Sequence, residues 1–148
     1  MEDNFIEVER NRYDQQAKSL LENRNLLNDD YGLKNIPLVY QDSFLEYYKQ
    51  LKTIKPTDKV LELGAGTGRH SFNVIESGCE YYGLDVSKNS LQVLKTKFPK
   101  AHTVNGRMSN IDFPDKSFDV IVSCSSLGYD ETTLVLKEIV DYLNHPGN

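Results

Sequence analysis

The sequence predicts an α/β domain built on a parallel sheet. Short apolar runs rich in branched residues alternate with amphipathic segments, which is the pattern of a chain whose strands are connected through helices. The last run, Val120 to Ser123, is apolar at consecutive positions, as expected for a strand covered on both faces. A glycine-rich turn follows the first run and an aspartate ends the second, so both lie at the carboxyl edge of the predicted sheet. The predicted strands are residues 59–63, 80–85, 101–105 and 120–123.

The size and charge of the chain indicate one acidic globular domain. It has 148 residues, a formal net charge of −5, 39% hydrophobic and 26% charged residues. This composition argues against disorder throughout, and against broad electrostatic binding to nucleic acid or to an anionic membrane. No apolar run approaches the roughly 20 residues of a membrane span, and the acidic N-terminus is unlike a signal peptide. We therefore expect a cytoplasmic protein without membrane contact.

Residues 1–54 are expected to form a helical cap on the core at residues 55–148, within one domain overall. Apolar positions at three- and four-residue steps predict a helix over residues 7–28. A second helix fits residues 42–52, with Asp42 or Ser43 as its N-cap. The tyrosines of this region either line a pocket or pack the helices onto the sheet, and packing is favoured for each one singly: Tyr13, Tyr31, Tyr40, Tyr47 and Tyr48.

Three further helices are predicted in the core. The first covers residues 68–77 and ends at Gly78, which is suited to a C-terminal cap. The second begins after the N-cap Ser87 and stops at Phe98-Pro99. The third begins at Asp130 and carries an apolar stripe of Leu136, Ile139, Val140 and Leu143.

The turn after the first predicted strand has the character of a nucleotide cradle. Its spacing is Glu62-x-Gly64-x-Gly66-x-Gly68, and Arg69 stands where the last glycine of the dinucleotide pattern G-x-G-x-x-G would be. Glycines allow the backbone to approach a ligand closely, and the following helix presents unpaired N–H groups. Taken alone, the stretch could also be an incidental tight turn.

Together with this turn, two later stretches resemble the class I S-adenosylmethionine (SAM) dependent methyltransferases of the type 11 family. The turn is similar to the family motif E/D-x-G-x-G-x-G, and residues 83–87 to G-x-D-x-S. Residues 106–119 are similar to G-D-A-x-x-L-P-F-x-D-x-S-F-D, and the C-terminal residues resemble the L-x-P-G-G turn that precedes strand five. The resemblance implies a Rossmann-like, doubly wound parallel sheet, here lacking strands five to seven.

The resemblance also implies SAM as cofactor and assigns residues to it. Glu62 would meet the methionine part directly or through water, whereas Asp85 would accept hydrogen bonds from the ribose hydroxyls. The alternative for Asp85 is a helix-capping role beside Ser87. Val86 would pack against the adenine. The turn itself would be shaped by Gly64, Ala65, Gly66 and Gly68.

Adenine recognition is expected to differ from that of the family, because Arg107 stands where an aspartate is usual. Arginine only donates hydrogen bonds, so recognition would rest on backbone groups near Met108 and Ser109 or on guanidinium stacking. Ser123, at the end of the fourth strand, completes the predicted cofactor site. In the loop beyond it, Tyr129 is a candidate acceptor-side residue, and an exposed loop tyrosine is the alternative.

The predicted function is SAM-dependent methyl transfer to an unidentified acceptor, expected to be a small molecule. Positioning supplies most of such catalysis, so most visible site residues should be cofactor ligands. A non-catalytic module that binds cofactor or a partner is the alternative, and the glycine spacing disfavours an NAD-dependent oxidoreductase. The three scattered histidines do not suggest a metal site. A homo-oligomer through the outer edge of the fourth strand is a further expectation.

Overall fold

The computed structural model of the chain describes residues 2–124 and Leu143. No helix within these residues is long and apolar enough to cross a membrane. In chain order the elements are α1 (Glu2–Glu22), α2 (Arg24–Asp29), α3 (Leu38–Leu51), β1 (Lys59–Leu63), α4 (Phe72–Glu76), β2 (Glu80–Asp85), α5 (Lys88–Lys97), β3 (His102–Asn105) and β4 (Val120–Ser123).

The four strands form one parallel sheet in the order β3-β2-β1-β4. At its carboxyl edge Leu63 of β1 lies opposite Leu84 on one side and Ser123 on the other. The predicted α/β fold is therefore confirmed, and β3 alone begins one residue later than expected. Next to β4, Phe118 forms an isolated parallel bridge with Leu143.

Successive residues of β1, an inner strand of the sheet, point to opposite faces, and each face carries its own apolar cluster. Val60 belongs to a cluster with residues of α3, α4 and α5, whereas Leu61 belongs to a second cluster on the opposite face. Within the described residues, the second face is covered by the segment that leads into β4 and includes Met108, Ile111 and Phe118. The sheet is thus packed on both faces beneath the turn that ends β1.

The N-terminal region contains three helices, so the single helix expected over residues 7–28 is wrong. Asn23 is extended, and its side chain accepts hydrogen bonds from the backbone N–H groups of Asn25 and Leu26. An asparagine that satisfies these groups caps a new helix and interrupts the preceding one.

The third helix also differs from its prediction. α3 begins at Leu38, four residues earlier than expected, with Pro37 at its N-cap position and no side-chain cap. The predicted caps, Asp42 and Ser43, are therefore wrong. Proline fixes φ at a value that leads into a helix without a side-chain hydrogen bond.

In the core, α4 is shorter than the predicted helix over residues 68–77, because the chain first completes a turn in which Ser71 N–H donates to the Gly68 carbonyl. Two capping predictions are confirmed. Gly78 follows α4 with φ +82°, and the Ser87 hydroxyl accepts from the Ser90 N–H at the start of α5. The last predicted helix, beginning at Asp130, lies outside the described residues apart from Leu143.

Candidate functional site

A cavity of about 230 Å³ lies at the carboxyl end of β1, and we call it the turn cavity. One wall is formed by Glu62 and the glycine turn, and the facing wall by side chains of α1. It therefore brings together four residues predicted for the cofactor, namely Glu62, Gly64, Ala65 and Gly66. The other described lining residues are Tyr13, Gln16, Leu20, Asp30, Thr67, Arg69, His70, Ser90 and Cys124.

The glycines of the turn differ in what surrounds them. At Gly66, where φ is +56°, an added Cβ would meet nothing within 4 Å, so the backbone faces open space. At Gly68, with φ +76°, the Cβ would lie 3.0 Å from Leu94 Cγ. Gly66 thus leaves room for a ligand, whereas Gly68 allows the turn to pack on α5.

Asp85, the last residue of β2, accepts a hydrogen bond from this turn. Its Oδ2 accepts from the Gly66 N–H at 2.9 Å, and its Oδ1 accepts from the Ser87 N–H at 2.8 Å. Burial raises the pKa of Asp85, the two N–H groups lower it, and the nearby Asp14 raises it. Asp85 is not among the described lining residues of the turn cavity. Asp85 therefore makes the helix-capping contact beside Ser87 that the sequence offered as the alternative. The Val86 N–H is a third backbone donor to this carboxylate, which has lone pairs enough to accept from a ligand hydroxyl as well.

Glu62 is a carboxylate buried at the base of the turn cavity, with only 2% of its surface exposed. Its Oε1 accepts hydrogen bonds from the hydroxyls of Ser71 and Tyr81. Burial raises the pKa of Glu62, and these hydroxyls oppose that shift. The Tyr47 hydroxyl also lies near this carboxylate and opposes the same pKa shift. Glu62 therefore offers a buried carboxylate to a ligand at the base of the turn cavity.

The helix that closes the turn cavity is attached to α5 by Asp14. One oxygen of Asp14 accepts from the Ser87 hydroxyl at 2.5 Å and from the Asn89 N–H at 3.2 Å. Ala17, one turn later, is fully buried. Sequence reasoning missed Asp14, because its partners lie more than 70 residues away.

Two cations hold the segment between α2 and α3 beside the turn cavity. Arg69 donates to the backbone carbonyls of Gly32 and Lys34. The Lys97 side chain, with no exposed surface, pairs with the Asp30 carboxylate at 2.5 Å. Burial lowers the pKa of Lys97, and Asp30 opposes the shift. The sequence pattern marks Arg69 as a departure from the dinucleotide motif and does not predict its contacts with Gly32 and Lys34.

His70 lines the turn cavity and contacts two residues of α3. Its ring stacks on Phe44 with centroids 4.2 Å apart, and its Nδ1 lies 2.5 Å from the Tyr48 hydroxyl. Burial, followed by the Arg69 charge, lowers the pKa of His70 to about 4. The imidazole is therefore neutral at pH 7, and its Nδ1 and the Tyr48 hydroxyl share a hydrogen bond.

A second cavity of about 560 Å³ lies between α3 and the end of β4, and we call it the α3 cavity. Cys124 lines both cavities, so they adjoin at this residue. Ser123, predicted for the cofactor, lines the α3 cavity. The other lining residues are Ile36, Pro37, Tyr40, Ser43, Phe44 and Tyr47.

The remaining predicted residues lie elsewhere in the structure. Met108 is 7% exposed and packs in the second core cluster. The Val86 carbonyl accepts from the Asn105 side chain at 3.1 Å. Neither of them, nor Arg107, is among the described lining residues of either cavity. Tyr129 lies outside the described residues.

The model of a methyltransferase domain family matches residues 60–147, which is more than half of the chain. The chain belongs to this family. With its parallel sheet, the chain is a domain of the class I SAM-dependent methyltransferase type. The match includes the glycine turn, Asp85, β1 from Val60 onward and the other three strands.

Several curated proteins are similar to this chain. A demethylmenaquinone methyltransferase of Tropheryma whipplei is 37% identical over 67 residues, which are 44% of this chain and 28% of that protein. An uncharacterized methyltransferase-like protein of Schizosaccharomyces pombe is 33% identical over 64% of this chain and 37% of its own. An uncharacterized methyltransferase of Bacillus cereus is 28% identical over 73% of this chain and 53% of its own. The chain thus spans about half or less of these relatives.

Solved structures share the fold at lower identity. Phosphoethanolamine N-methyltransferase 2 of Haemonchus contortus, solved with S-adenosylhomocysteine, has a TM-score of 0.62 at 23% identity, over 72% of this chain and 26% of its own. The [4+2]-cyclase SpnF has the same TM-score at 18% identity, over 72% of this chain and 42% of its own. A cyclase and a methyltransferase on one fold show that the fold alone does not set the reaction.

Proposed function

We propose that this chain binds SAM in the turn cavity and serves in methyl transfer to a small-molecule acceptor. The observation that carries the proposal is the backbone at Gly66, which faces open space and donates its N–H to Asp85. A turn with this opening at the carboxyl end of a parallel strand is suited to a nucleoside ligand. Membership of the family supplies the identity of that ligand.

The turn cavity and the Asp85 carboxylate beside it suit the chemical groups of SAM. Asp85 would accept hydrogen bonds from the ribose hydroxyls while it holds the turn at Gly66, and Glu62 would receive the ammonium group. Charge-assisted hydrogen bonds of this kind contribute about 1.5–3 kcal/mol each before desolvation. The turn cavity, about 230 Å³ and partly open to solvent, is smaller than common ligand pockets, so part of a bound SAM would extend beyond it.

When bound, SAM supplies a methyl group on a positively charged sulfur, which an acceptor lone pair can attack. The protein's part is to hold the acceptor in line at near-attack distance and to exclude water. α1 closes the turn cavity on one side, and α3 with the end of β4 borders the approach from the other. No side chain described here needs to act as a nucleophile.

Calorimetric titration with S-adenosylhomocysteine tests the proposal. We expect saturable binding that is weakened at least tenfold, about 1.4 kcal/mol, in Asp85→Ala. Asp112→Ala removes an exposed carboxylate of the same charge and should bind like the unaltered chain. NAD should not bind. A folded chain that binds no S-adenosylhomocysteine, or that binds NAD in its place, contradicts the proposal.

The second candidate function is a module that binds SAM without transferring its methyl group. The observation that favours this candidate is the cyclase, which has the same fold and a different reaction in its name. Transfer of a labelled methyl group from SAM to any acceptor would decide for the enzyme. The cytoplasmic location predicted from the sequence belongs to the same proposal, and cell fractionation tests it.

A further inference from the structure

We propose that the α3 cavity is the methyl-acceptor site and that it selects neutral, flat apolar molecules carrying a hydroxyl or carbonyl group. This inference rests on the proposed methyl transfer. Its starting point is the position of the cavity, which adjoins the turn cavity at Cys124. A molecule in the α3 cavity and a cofactor in the turn cavity would therefore meet at the carboxyl edge, between β1 and β4.

The wall of the α3 cavity determines the class of acceptor. Aromatic rings come from Tyr40, Phe44 and Tyr47, and aliphatic surface from Ile36 and Pro37. None of its described lining residues is an acid, lysine, arginine or histidine. A charged ligand would lose its hydration there without gaining a charged partner, which is costly. Aromatic walls instead favour flat apolar ligands, through burial and ring stacking.

The surface next to the cavity is also apolar. Leu38 and Val39, at the start of α3, are 82% and 80% exposed, and Tyr40 is 60% exposed while it lines the cavity. Large aliphatic side chains exposed to this degree beside a pocket are typical of a binding surface for an apolar molecule. They would cover the part of an acceptor that extends beyond the cavity.

Hydroxyl groups give the site its polar contacts. The side chains of Tyr40, Ser43 and Ser123 line the α3 cavity, and each carries a neutral hydroxyl. A hydroxyl both donates and accepts hydrogen bonds, so it can pair with a ligand hydroxyl or carbonyl without a charge on either partner. The cavity of about 560 Å³ lies within the range of small-molecule pockets and holds one or two fused rings.

The test uses 2-naphthol as a neutral probe and 2-naphthoate as its anionic counterpart, each followed by ligand-detected NMR. We expect 2-naphthol to bind at least tenfold more tightly than 2-naphthoate. Ser43→Trp fills a lining position on α3 and should abolish binding of 2-naphthol. Leu45→Trp places the same side chain at an exposed position of the same helix, away from the cavity, and should leave binding unchanged.

Titration with S-adenosylhomocysteine separates this inference from the proposed function. All three proteins should bind it equally, since Ser43 and Leu45 lie outside the turn cavity. The inference is overturned if the chain does not bind 2-naphthol, prefers 2-naphthoate, or binds 2-naphthol unchanged after Ser43→Trp. If the probe binds as expected and S-adenosylhomocysteine does not, the proposed function fails and the acceptor assignment fails with it, leaving an apolar cavity of another use.

Discussion

The Asp14 carboxylate accepts a hydrogen bond from the Ser87 hydroxyl, 73 residues further along the chain. Ser87 is also the N-cap of α5, and its neighbour Asp85 braces the glycine turn. One polar cluster thus joins the helix over the turn cavity to the strand end beneath it. A carboxylate is favourable there, because it faces the N–H groups at the start of a helix.

Asp14→Ala should release α1 from the core. The Ser87 hydroxyl can still cap α5, so the sheet should remain folded while amide hydrogen exchange within α1 rises at least tenfold. Exchange followed by mass spectrometry measures this directly. Glu7→Ala is the matched control, because Glu7 forms an exposed pair with Arg10 on the same helix. Equal exchange in the two variants would show that Asp14 does not hold α1.

The two glycines of the turn should respond differently to alanine. Gly66→Ala places a methyl group in open space, so we expect about 1 kcal/mol of backbone strain and at least tenfold weaker binding of S-adenosylhomocysteine. Gly68→Ala adds a contact 3.0 Å from Leu94 Cγ in the core, and about 2–4 kcal/mol of stability should be lost. Urea unfolding and calorimetry distinguish the two. The assignment fails if Gly66→Ala binds normally.

What the sequence predicted well was local. The strands are continuous apolar runs, and the turn and its aspartate lie within a few residues of strand ends, so pattern and spacing suffice. Asn23 also carries a local signal, since asparagine favours N-caps, but the prediction of one helix over residues 7–28 rests on the apolar stripe alone. Other features depend on how distant segments pack. Lys97 pairs with Asp30, and residues 36–47 come together with Ser123 and Cys124, although these segments are far apart in the sequence.

The hydroxyls of Tyr81 and Tyr47 should differ in their contribution to stability. Tyr81 donates to the buried Glu62 carboxylate at 2.5 Å, so Tyr81→Phe should cost about 1.5–3 kcal/mol. Burial and then the same nearby carboxylate raise the pKa of the Tyr47 hydroxyl, which makes no hydrogen bond of ordinary geometry within the described residues. Tyr47→Phe should therefore cost less, about 1 kcal/mol or below. Both variants keep the ring, which makes each the control of the other. Equal losses in urea unfolding would refute the distinction.

His70 should make the stability of the protein fall as the pH decreases from about 6.5 to 4. The unfolded chain binds a proton at His70 near the ordinary pKa of 6.5, whereas burial lowers the folded pKa to about 4. Between these values the unfolded state binds more protons, so acid favours unfolding. Full burial would make the difference roughly 3 kcal/mol, and partial exposure reduces it to about 2 kcal/mol.

His70→Gln isolates this contribution from the other groups that titrate nearby. Glutamine does not titrate, and its side-chain amide can still form a hydrogen bond with the Tyr48 hydroxyl. Glu62 and Asp85, whose pKa values are raised, act in the opposite direction in both proteins and cancel in the difference. The measurement is urea unfolding at pH 7 and at pH 4.5. The unaltered chain should lose about 2 kcal/mol more than the variant, and parallel curves would mean that the ring is not held neutral by its surroundings.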